Sequence, residues 1–474
     1  MPEDSAVQPD EITLSKTDFL VYLDCPVHLW AAKHERLEIT APAPFQLRLM
    51  AQGREVEALA EPVVRDLAGE AELVDQPELV DGPFHARPDH LVRHADGRVD
   101  LVEVKSSSSP RKEHEYDLAF QALVGRAGLD VDKRYLVYVN KEYVRRGEID
   151  PRGLFVVEDL TEPAAARRDE VLEQRALALA AVRQETPMGL RGCTDPDTCP
   201  CPALCHPDLP ENPIYDLPRL GRKALELKAL GVTAIEDIPA DFPLTDTQRA
   251  QVELVRRGEP QIDAAAIRGF LAGLKFPLYF LDYETVSPAL PLFDGYRPYD
   301  LVVFQFSLHL LKDPGATPVH HEHLALDPVD PAPGLAAALA EALGPQGSVL
   351  VWNRAFEARG NRMLAEHAPD QAAFFADVDA RLVDLMDVFR DGHYRHPGFR
   401  GSASLKKVLP VLAPGMSYAS LRIGDGEAAM QAWWRLLMEN LDPGPRADLE
   451  EALLVYCAQD TAAMMAIWEV LAEF

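Results

Sequence analysis

The sequence has no apolar run of the roughly 18 residues that a membrane-crossing helix needs, which argues against a helical membrane protein. Positive charge is also in short supply. Lys and Arg number 47 against 76 Asp and Glu, a formal charge of −29 with a pI near 4.8. That sign disfavours a protein that grips nucleic acid through a broad basic surface. Carboxylate-rich metal sites soften the objection, because they gain positive charge only when ions bind. No G-x4-G-K-S/T motif occurs, so an associated helicase, if one exists, is a separate chain. The opening MPEDSAVQPDEITLSK has no basic stretch leading into an apolar one. We therefore expect no signal peptide, no membrane partner and a cytoplasmic protein. Internal repeats are absent, and the Ala-Pro-rich patches are local bias rather than low complexity.

What is present suits a folded globular chain: 47% hydrophobic and 26% charged residues over 474 positions. That length suggests two or three domains. Residues 1–12 read as a loose tail, and Ser15 as the N-cap of a helix through TDFLVYLDCPVHLWAAKH. A second helix is expected over residues 46–68. Two strand-like runs, FHARPDHLVRH and RVDLVEVKSSS, flank the turn Ala95-Asp96-Gly97. A helix around Tyr116–Gly125, strands RYLVYVN and LFVVEDL, and one long helix over 161–186 follow. Residues 207–266 are Pro-rich with short helical patterns and read as a helical connector. Beyond them the order is strand (PLYFLDYETV), strand (DLVVFQFSLHLL), helix (PGLAAALAEAL), strand (SVLVWN), then helices, an α/β arrangement.

The first candidate site lies in the strand pair. Glu103 and Lys105 share a face because side chains alternate along a strand, and Asp89 on the neighbouring strand can meet them there. Two carboxylates suit a hard divalent ion such as Mg²⁺ or Mn²⁺, and a lysine beside them suits developing phosphate charge. This is the logic of a PD-(D/E)XK nuclease core. The bland reading of an acid-x-Lys on a strand is a solvated face with a salt bridge. Gln121, on the following helix, adds weight; taken alone it is a surface glutamine.

Four of the six cysteines crowd at Cys193, Cys199, Cys201 and Cys205. In a cytoplasmic chain such a run reads as metal or iron–sulfur ligation before disulfides. Spacing leaves zinc and iron–sulfur equally open.

Taken together, the segment LSKTDFLVYLDCP, Gly53 and Glu57, Asp89 with Glu103-Val104-Lys105, Phe120-Gln121 and the cysteine run resemble RecB-type iron–sulfur nuclease domains over residues 12–206. The resemblance implies that Asp89 and Glu103 bind metal, that Lys105 is catalytic and that Gln121 supports the site. Glu57 stands where many relatives carry a metal-binding His. The resemblance also implies a 4Fe–4S cluster on Cys25, Cys193, Cys199 and Cys205, with Cys201 spare and zinc as the alternative. Cys457 reads as a small buried residue.

The second candidate site uses three separated motifs. Asp282 and Glu284 lie two apart on a strand, Glu357 follows the strand SVLVWN at a helix start, and Tyr456 and Asp460 share a helix face. Converging carboxylates repel unless cations sit among them, and two divalent ions about 4 Å apart would neutralise them. The tyrosine hydroxyl would position the attacking water. Asp384 and Asp387 read mainly as helix surface, Lys406 and Lys407 as a helix start or phosphate contacts. The histidines at 309, 320, 321, 323, 393 and 396 show no metal spacing. The D-x-E-T at Asp282–Thr285, N-x-x-F-E at Asn353–Glu357 and Y-x3-D at Tyr456–Asp460 resemble the tyrosine-containing DEDD form of DnaQ-like exonucleases over residues 267–474. Glu357 stands where the family usually has Asp. The unit also looks like a bacterial domain of unknown function related to DnaQ. The expectation is thus an α/β chain with a restriction-endonuclease-like core (12–206), a helical connector (207–266) and a ribonuclease H-like domain (267–474). Its expected work is metal-dependent cleavage of nucleic acid at single-stranded or duplex ends, DNA before RNA. The alternative is a scaffold that keeps the folds and only binds such ends.

Overall fold

The computed structural model describes residues 12–37 and 44–474. The expected N-terminal tail lies outside them but for its last residue. The chain is mixed α/β and divides into two units. The first comprises Met1–Pro42, Leu49–Leu209 and Ala289–Pro291, and the second Ala43–Arg48, Pro210–Pro288 and Leu292–Phe474. Among the described residues, no helix is long and apolar enough to cross a membrane.

In the first unit the strands are β1 (Leu14–Ser15), β2 (Glu72–Asp75), β3 (Leu79–Asp81), β4 (Phe84–Ala86), β5 (His90–Arg93), β6 (Arg98–Lys105), β7 (Asp130–Val139) and β8 (Phe155–Asp159). The helices used below are α1 (Lys16–Asp24), α2 (Pro26–Lys33), α3 (Pro44–Ala68), α4 (Lys112–Gly125), α5 (Thr161–Ala166) and α6 (Arg168–Val182). A five-stranded sheet runs β2-β5-β6-β7-β8, and β1-β4-β3 form a smaller one. Only β6 and β7 pair in parallel within the larger sheet, joined through α4. Residues 99–104 of β6 are buried throughout, as expected of a central strand covered on both faces. The solvated-face reading of Glu103 therefore fails. Phe19 of α1 stacks on Phe120 of α4 with ring centroids 4.9 Å apart, fixing both helices on one core.

Ser15 caps α1 through a capping box: the Asp18 N–H donates to Ser15 Oγ (3.1 Å) and the Ser15 N–H donates to Asp18 Oδ2 (2.7 Å). Two sequence expectations shift. FHARPDHLVRH is not one strand but β4 and β5 in different sheets, because Pro88 has no N–H for a ladder. Asp89 therefore sits on the bend before β5. The expected helix over 161–186 is two helices, α5 and α6, broken at Arg167, whose side chain pairs with Glu115 (2.8 Å).

The second unit carries β9 (Leu278–Val286), β10 (Val302–Leu311), β11 (Val319–Leu324), β12 (Ser348–Val351) and β13 (Leu382–Asp384). Their sheet runs β11-β10-β9-β12-β13. Pairing is antiparallel through β11, β10 and β9, then parallel through β9, β12 and β13. The helices are α7 (Asp246–Arg257), α8 (Ala264–Ala272), α9 (Ala332–Ala342), α10 (Arg354–His367), α11 (Leu405–Leu412), α12 (Gly426–Met438) and α13 (Pro443–Leu471). Tyr279, Leu281 and Tyr283 of β9 pack on one side with Leu335 and Leu339 of α9 and Leu364 of α10. Leu278 and Phe280 face the other side, against Val408 of α11 and Met464 and Ile467 of α13. Asp282 and Glu284 continue this second face. Gly347, at φ 96°, opens β12; a Cβ there would meet Pro277 O at 2.0 Å, so no other residue fits the turn. Residues 210–266 fall within this unit: Gln261–Ile262 pair with Tyr394–Arg395.

Candidate functional site

In the first unit, β6 presents Glu103 and α4 presents Asp117 and Gln121 one turn apart. Gln121 Nε2 donates to Glu103 Oε2 (2.9 Å) and to Asp117 Oδ1 (2.6 Å). Lys105 Nζ lies 2.6 Å from Glu103 Oε1 and 3.2 Å from Asp117 Oδ2. A second lysine, Lys16 at the start of α1, also pairs with Glu103. Asp89 is tied in by the Val104 N–H, which donates to its Oδ2 at 2.8 Å. The sequence thus brings Asp89, Glu103, Lys105 and Gln121 to one place. Lys16 and Asp117 complete it and carry no local motif.

Electrostatics separates the two metal-binding candidates. Burial alone would raise the Glu103 carboxyl, but Lys105, Lys16 and the Gln121 amide outweigh it and hold it at about 2. Asp89 goes the other way. Burial, then the charge of Glu103, push it up to about 7. Asp89 is the oxygen donor here that the lysines compensate less. Glu57 meets this group through Gln76. On α3 its Oε1 accepts from Gln76 Nε2 (2.8 Å), and the Gln76 N–H donates to Asp89 O (2.9 Å), so Gln76 stands between them. Gln121 Oε1 is buried without a partner.

The cysteines gather with two histidines. Cys25 closes α1 and opens α2, with Pro26 at the first helical position, where its missing N–H costs nothing. Its Sγ lies 3.9 Å from Cys205 Sγ, which lies 3.8 Å from Cys201 Sγ. His28 Nε2 is 3.3 Å from Cys199 Sγ, and Cys193 Sγ is 3.1 Å from His206 Nε2. Cys25, His28, Cys193 and Cys205 form one set with ligand atoms within 4.8 Å of one another; His28, Cys199, Cys201 and Cys205 form another. Thiolates held tetrahedrally at about 2.3 Å from one zinc ion would stand roughly 3.8 Å apart. None of these thiols is in a disulfide. The side chains therefore fit a metal ion. Cys201, buried at 5% exposure, belongs to the cluster as fully as Cys25. His28 and His206 have no spacing signature in the sequence. The hydrogen bond with Cys205 pulls the Cys25 thiol down to about 6, and burial raises Cys201 to about 12. Arg191 binds the end of α1 through Asp24 O (2.8 Å) and Leu23 O (2.9 Å), stitching the cysteine segment to it.

The second unit holds the more concentrated acid cluster. β9 supplies Asp282 and Glu284, α10 supplies Glu357, and α13 supplies Asp460. Asp282, Glu284 and Cys457 bring ligand atoms within 4.8 Å of one another. Glu357 and Asp460 stand outside that set but within charge–charge reach of it. Burial raises all four carboxyls, and the charges of their neighbours push Asp282, Glu284 and Glu357 further up. Asp460 rises to about 6. Among the described residues, none of the four forms an ion pair with Lys or Arg. Glu357 Oε2 is buried without a partner. Moving a carboxylate out of water costs several kcal/mol unless a charge or hydrogen bonds offset it. A cation bound among these carboxylates would offset that cost.

The surroundings sharpen the assignment. Asn353 takes a left-handed backbone (φ 88°) at the N-cap of α10, a conformation asparagine tolerates better than most residues. Asp384, expected on a helix surface, is instead the buried end of β13. Its carboxylate accepts from Asn353 N–H (3.1 Å) and Arg354 N–H (3.0 Å). It thus pins the turn that aims Glu357. Tyr456 is 4% exposed and its ring lies 6.2 Å from that of Tyr418. The hydroxyl bonded to Asp460 is that of Tyr418, which the sequence does not reveal. Lys406 Nζ lies 5.5 and 5.6 Å from the two tyrosine rings and donates to Gly424 O (2.8 Å). The histidines at 309 and 320 are engaged instead with Thr461 (2.8 Å) and Ser307 (2.9 Å).

Residues 279–404 match a family model described as "Domain of unknown function (DUF2779)". The chain is 28% identical over 221 residues to the "Uncharacterized protein MG366 homolog" of Mycoplasma pneumoniae, covering 42% of this chain and 33% of that protein. It is 24% identical over 229 residues to "Uncharacterized protein MG366" of Mycoplasma genitalium, covering 42% and 34%. The chain therefore matches about a third of the length of these curated relatives. A solved structure titled "Crystal structure of SSO0001" is similar over 44% of this chain and 91% of its own, at 18% identity. Its TM-score of 0.26 is too low to bear on the fold.

Proposed function

We propose that the protein is a metal-dependent phosphodiesterase acting on nucleic acid, with its principal site on Asp282, Glu284, Glu357 and Asp460. One observation carries this reading: three buried carboxylates and the half-buried Asp282, from three elements, without an ion-pair partner among the described residues and with Glu357 Oε2 unsatisfied. Such a set is held at a cost that divalent ions would offset. The mixed five-stranded sheet with helices on both faces supports a ribonuclease H-like, DnaQ-type reading of this unit. These acids would hold Mg²⁺ or Mn²⁺, and ions bound there supply Lewis-acid activation of a phosphate and of water. The chain itself does the positioning. Asp384 fixes the α10 turn beneath Glu357, and Tyr418 orients Asp460 by donating to it. Tyr456 stands beside them with its hydroxyl kept protonated, since burial and then the nearby acids raise its pKa. A protonated phenol is the form that can donate to water or phosphate.

The first unit is proposed as a second site of RecB-like, PD-(D/E)XK type. Asp89 and Glu103 would hold a divalent ion, and Lys105, charged beside Glu103 and Asp117, would face phosphate. The thiol–imidazole cluster would hold a 4Fe–4S cluster, or zinc in its place, as a staple for this unit. In the presence of Mg²⁺ or Mn²⁺ the purified protein should shorten end-labelled single-stranded or duplex DNA. Asp282→Ala should reduce end-directed digestion at least a hundredfold, and Lys105→Ala should remove a separate activity. Intact single-stranded DNA, duplex DNA and RNA after incubation would end the reading. So would wild-type rates from both variants.

A further inference from the structure

A cavity in the second unit, of about 650 Å³, lies between the Thr245–Leu254 stretch of α7 and its cap and residues 389–403. Its lining is unusual for a chain of charge −29. Arg219, Arg390 and Arg395 line it, against the single carboxylate of Asp391. Arg390 is engaged by Asp384 (3.6 Å) and by Asp387. Arg219 and Arg395 form no ion pair among the described residues. An arginine without a carboxylate partner in an acid-rich protein is a fixed positive charge available to an anion.

Two further features point to a ligand. Gln251 is 7% exposed and lines the cavity, and its Nε2 has no hydrogen-bond partner. A buried amide without partners costs about 1–3 kcal/mol, so such groups persist where something else satisfies them. Gly392, at φ 79°, gives the Arg395 guanidinium its seat: a Cβ there would stand 2.3 Å from Arg395 Nη2 and 2.5 Å from Cζ. The guanidinium thus packs close against the Gly392 backbone, and a guanidinium can meet a phosphate bidentately. Phe389, Tyr394 and Phe399 add aromatic wall, their centroids 5.6–6.1 Å apart.

We propose that this cavity binds a nucleotide phosphate, with Arg219 and Arg395 on the anion, the Gln251 amide donating beside them and the aromatic wall against sugar or base. Arg390, which pairs with Asp384, links the cavity to the turn beneath Glu357. This assignment deepens the nuclease reading by adding a grip on substrate away from the cleaved bond. The phosphate could belong to a free mononucleotide or to a strand, and the test separates them.

Binding of fluorescein-labelled dT12 to the full chain is measured in EDTA, so that no hydrolysis occurs. Arg219→Glu combined with Arg395→Glu should weaken binding at least tenfold. Gln251→Leu should weaken it three- to tenfold without lowering Tm, because it removes an unsatisfied buried donor; this guards against a fold defect in the double variant. Competition by millimolar dTMP would support the site with the mononucleotide as ligand. Loss in both variants without dTMP competition would support it with the strand as ligand. Unchanged dT12 affinity in both variants would overturn it. A protein that binds dT12 through these residues yet cleaves nothing would lose the nuclease reading and keep this one. Active enzyme with both variants binding normally would do the reverse.

Discussion

Asp460 links the acid cluster to a measurable pH dependence. Burial raises its carboxyl to about 6, against the opposing effects of the Tyr418 hydrogen bond and Lys406. Asp282, Glu284 and Glu357 are raised by burial and then by neighbouring acids. An acid whose folded pKa exceeds its unfolded value of about 4 is least costly to the fold below that value. The fold loses stability as pH rises from about 4 through the folded pKa. In EDTA the protein should therefore melt at a higher temperature at pH 5 than at pH 7.5. Mg²⁺ should add more stability at pH 7.5, where Asp460 is ionised, and it favours the charged form of the other three acids. The overall charge of −29 also favours lower pH, so Glu357→Gln isolates the site. It should raise Tm in EDTA at pH 7.5 by the equivalent of about 1–3 kcal/mol, since it removes a buried acid whose charged form burial and the neighbouring carboxylates disfavour. It should also blunt the Mg²⁺ response. A Glu357→Gln melting curve identical to wild type at pH 7.5, with and without Mg²⁺, would sink the idea.

At the scale of elements, the segment 185–206 depends on its cysteines. It has no regular structure beyond the single turn Pro202–Cys205, yet it buries Cys201 and Cys205 against Cys25, Val27 and Trp30. Little apolar area is available there, so a bound metal would supply most of what orders it. Cys205→Ser should cost about 3 kcal/mol or more, lower Tm by roughly 6–12 °C, and open this segment to protease. Metal analysis should show loss of iron or zinc in parallel; wild-type protease resistance in the variant would argue against a staple. The same contrast explains what the sequence makes legible. The central strands β6 and β9 are legible as short apolar runs buried on both faces, and the Tyr456–Asp460 helix face follows from i,i+4 spacing. Local spacing also marks Glu103 with Lys105 and Asp282 with Glu284. Lys16 meets Glu103 across 87 positions, and Tyr418 reaches Asp460 from a turn without periodicity, so neither leaves a local trace. β11 hides because VHHEHL is a polar edge strand. Asp89 shifts from strand to bend because Pro88 breaks the ladder, though the Val104 N–H keeps its carboxylate in place.

For the whole molecule, the acidity limits how the proposed nucleic-acid substrate could be held. Each phosphate neutralised on a single strand contributes about −0.7 to the slope of log affinity against log salt, and about −0.9 on a duplex. A chain of net charge −29 has little basic surface to spend, and repulsion opposes any contact away from a few fixed cations. The cations proposed to meet one strand at the second unit are Arg219 and Arg395 in the cavity and Lys406 beside the acid cluster, Lys105 belonging to the separate first-unit site. Three such contacts give a slope of about −2 for dT12 in EDTA. The slope should move toward zero by about 1.4 in the Arg219→Glu, Arg395→Glu variant, as two contacts are lost. Filter binding or anisotropy across a series of KCl concentrations measures both. A wild-type slope steeper than about −5 would mean a broad phosphate-tracking surface. That would displace this picture of a few cations gripping the strand while acid-bound ions meet the scissile phosphate.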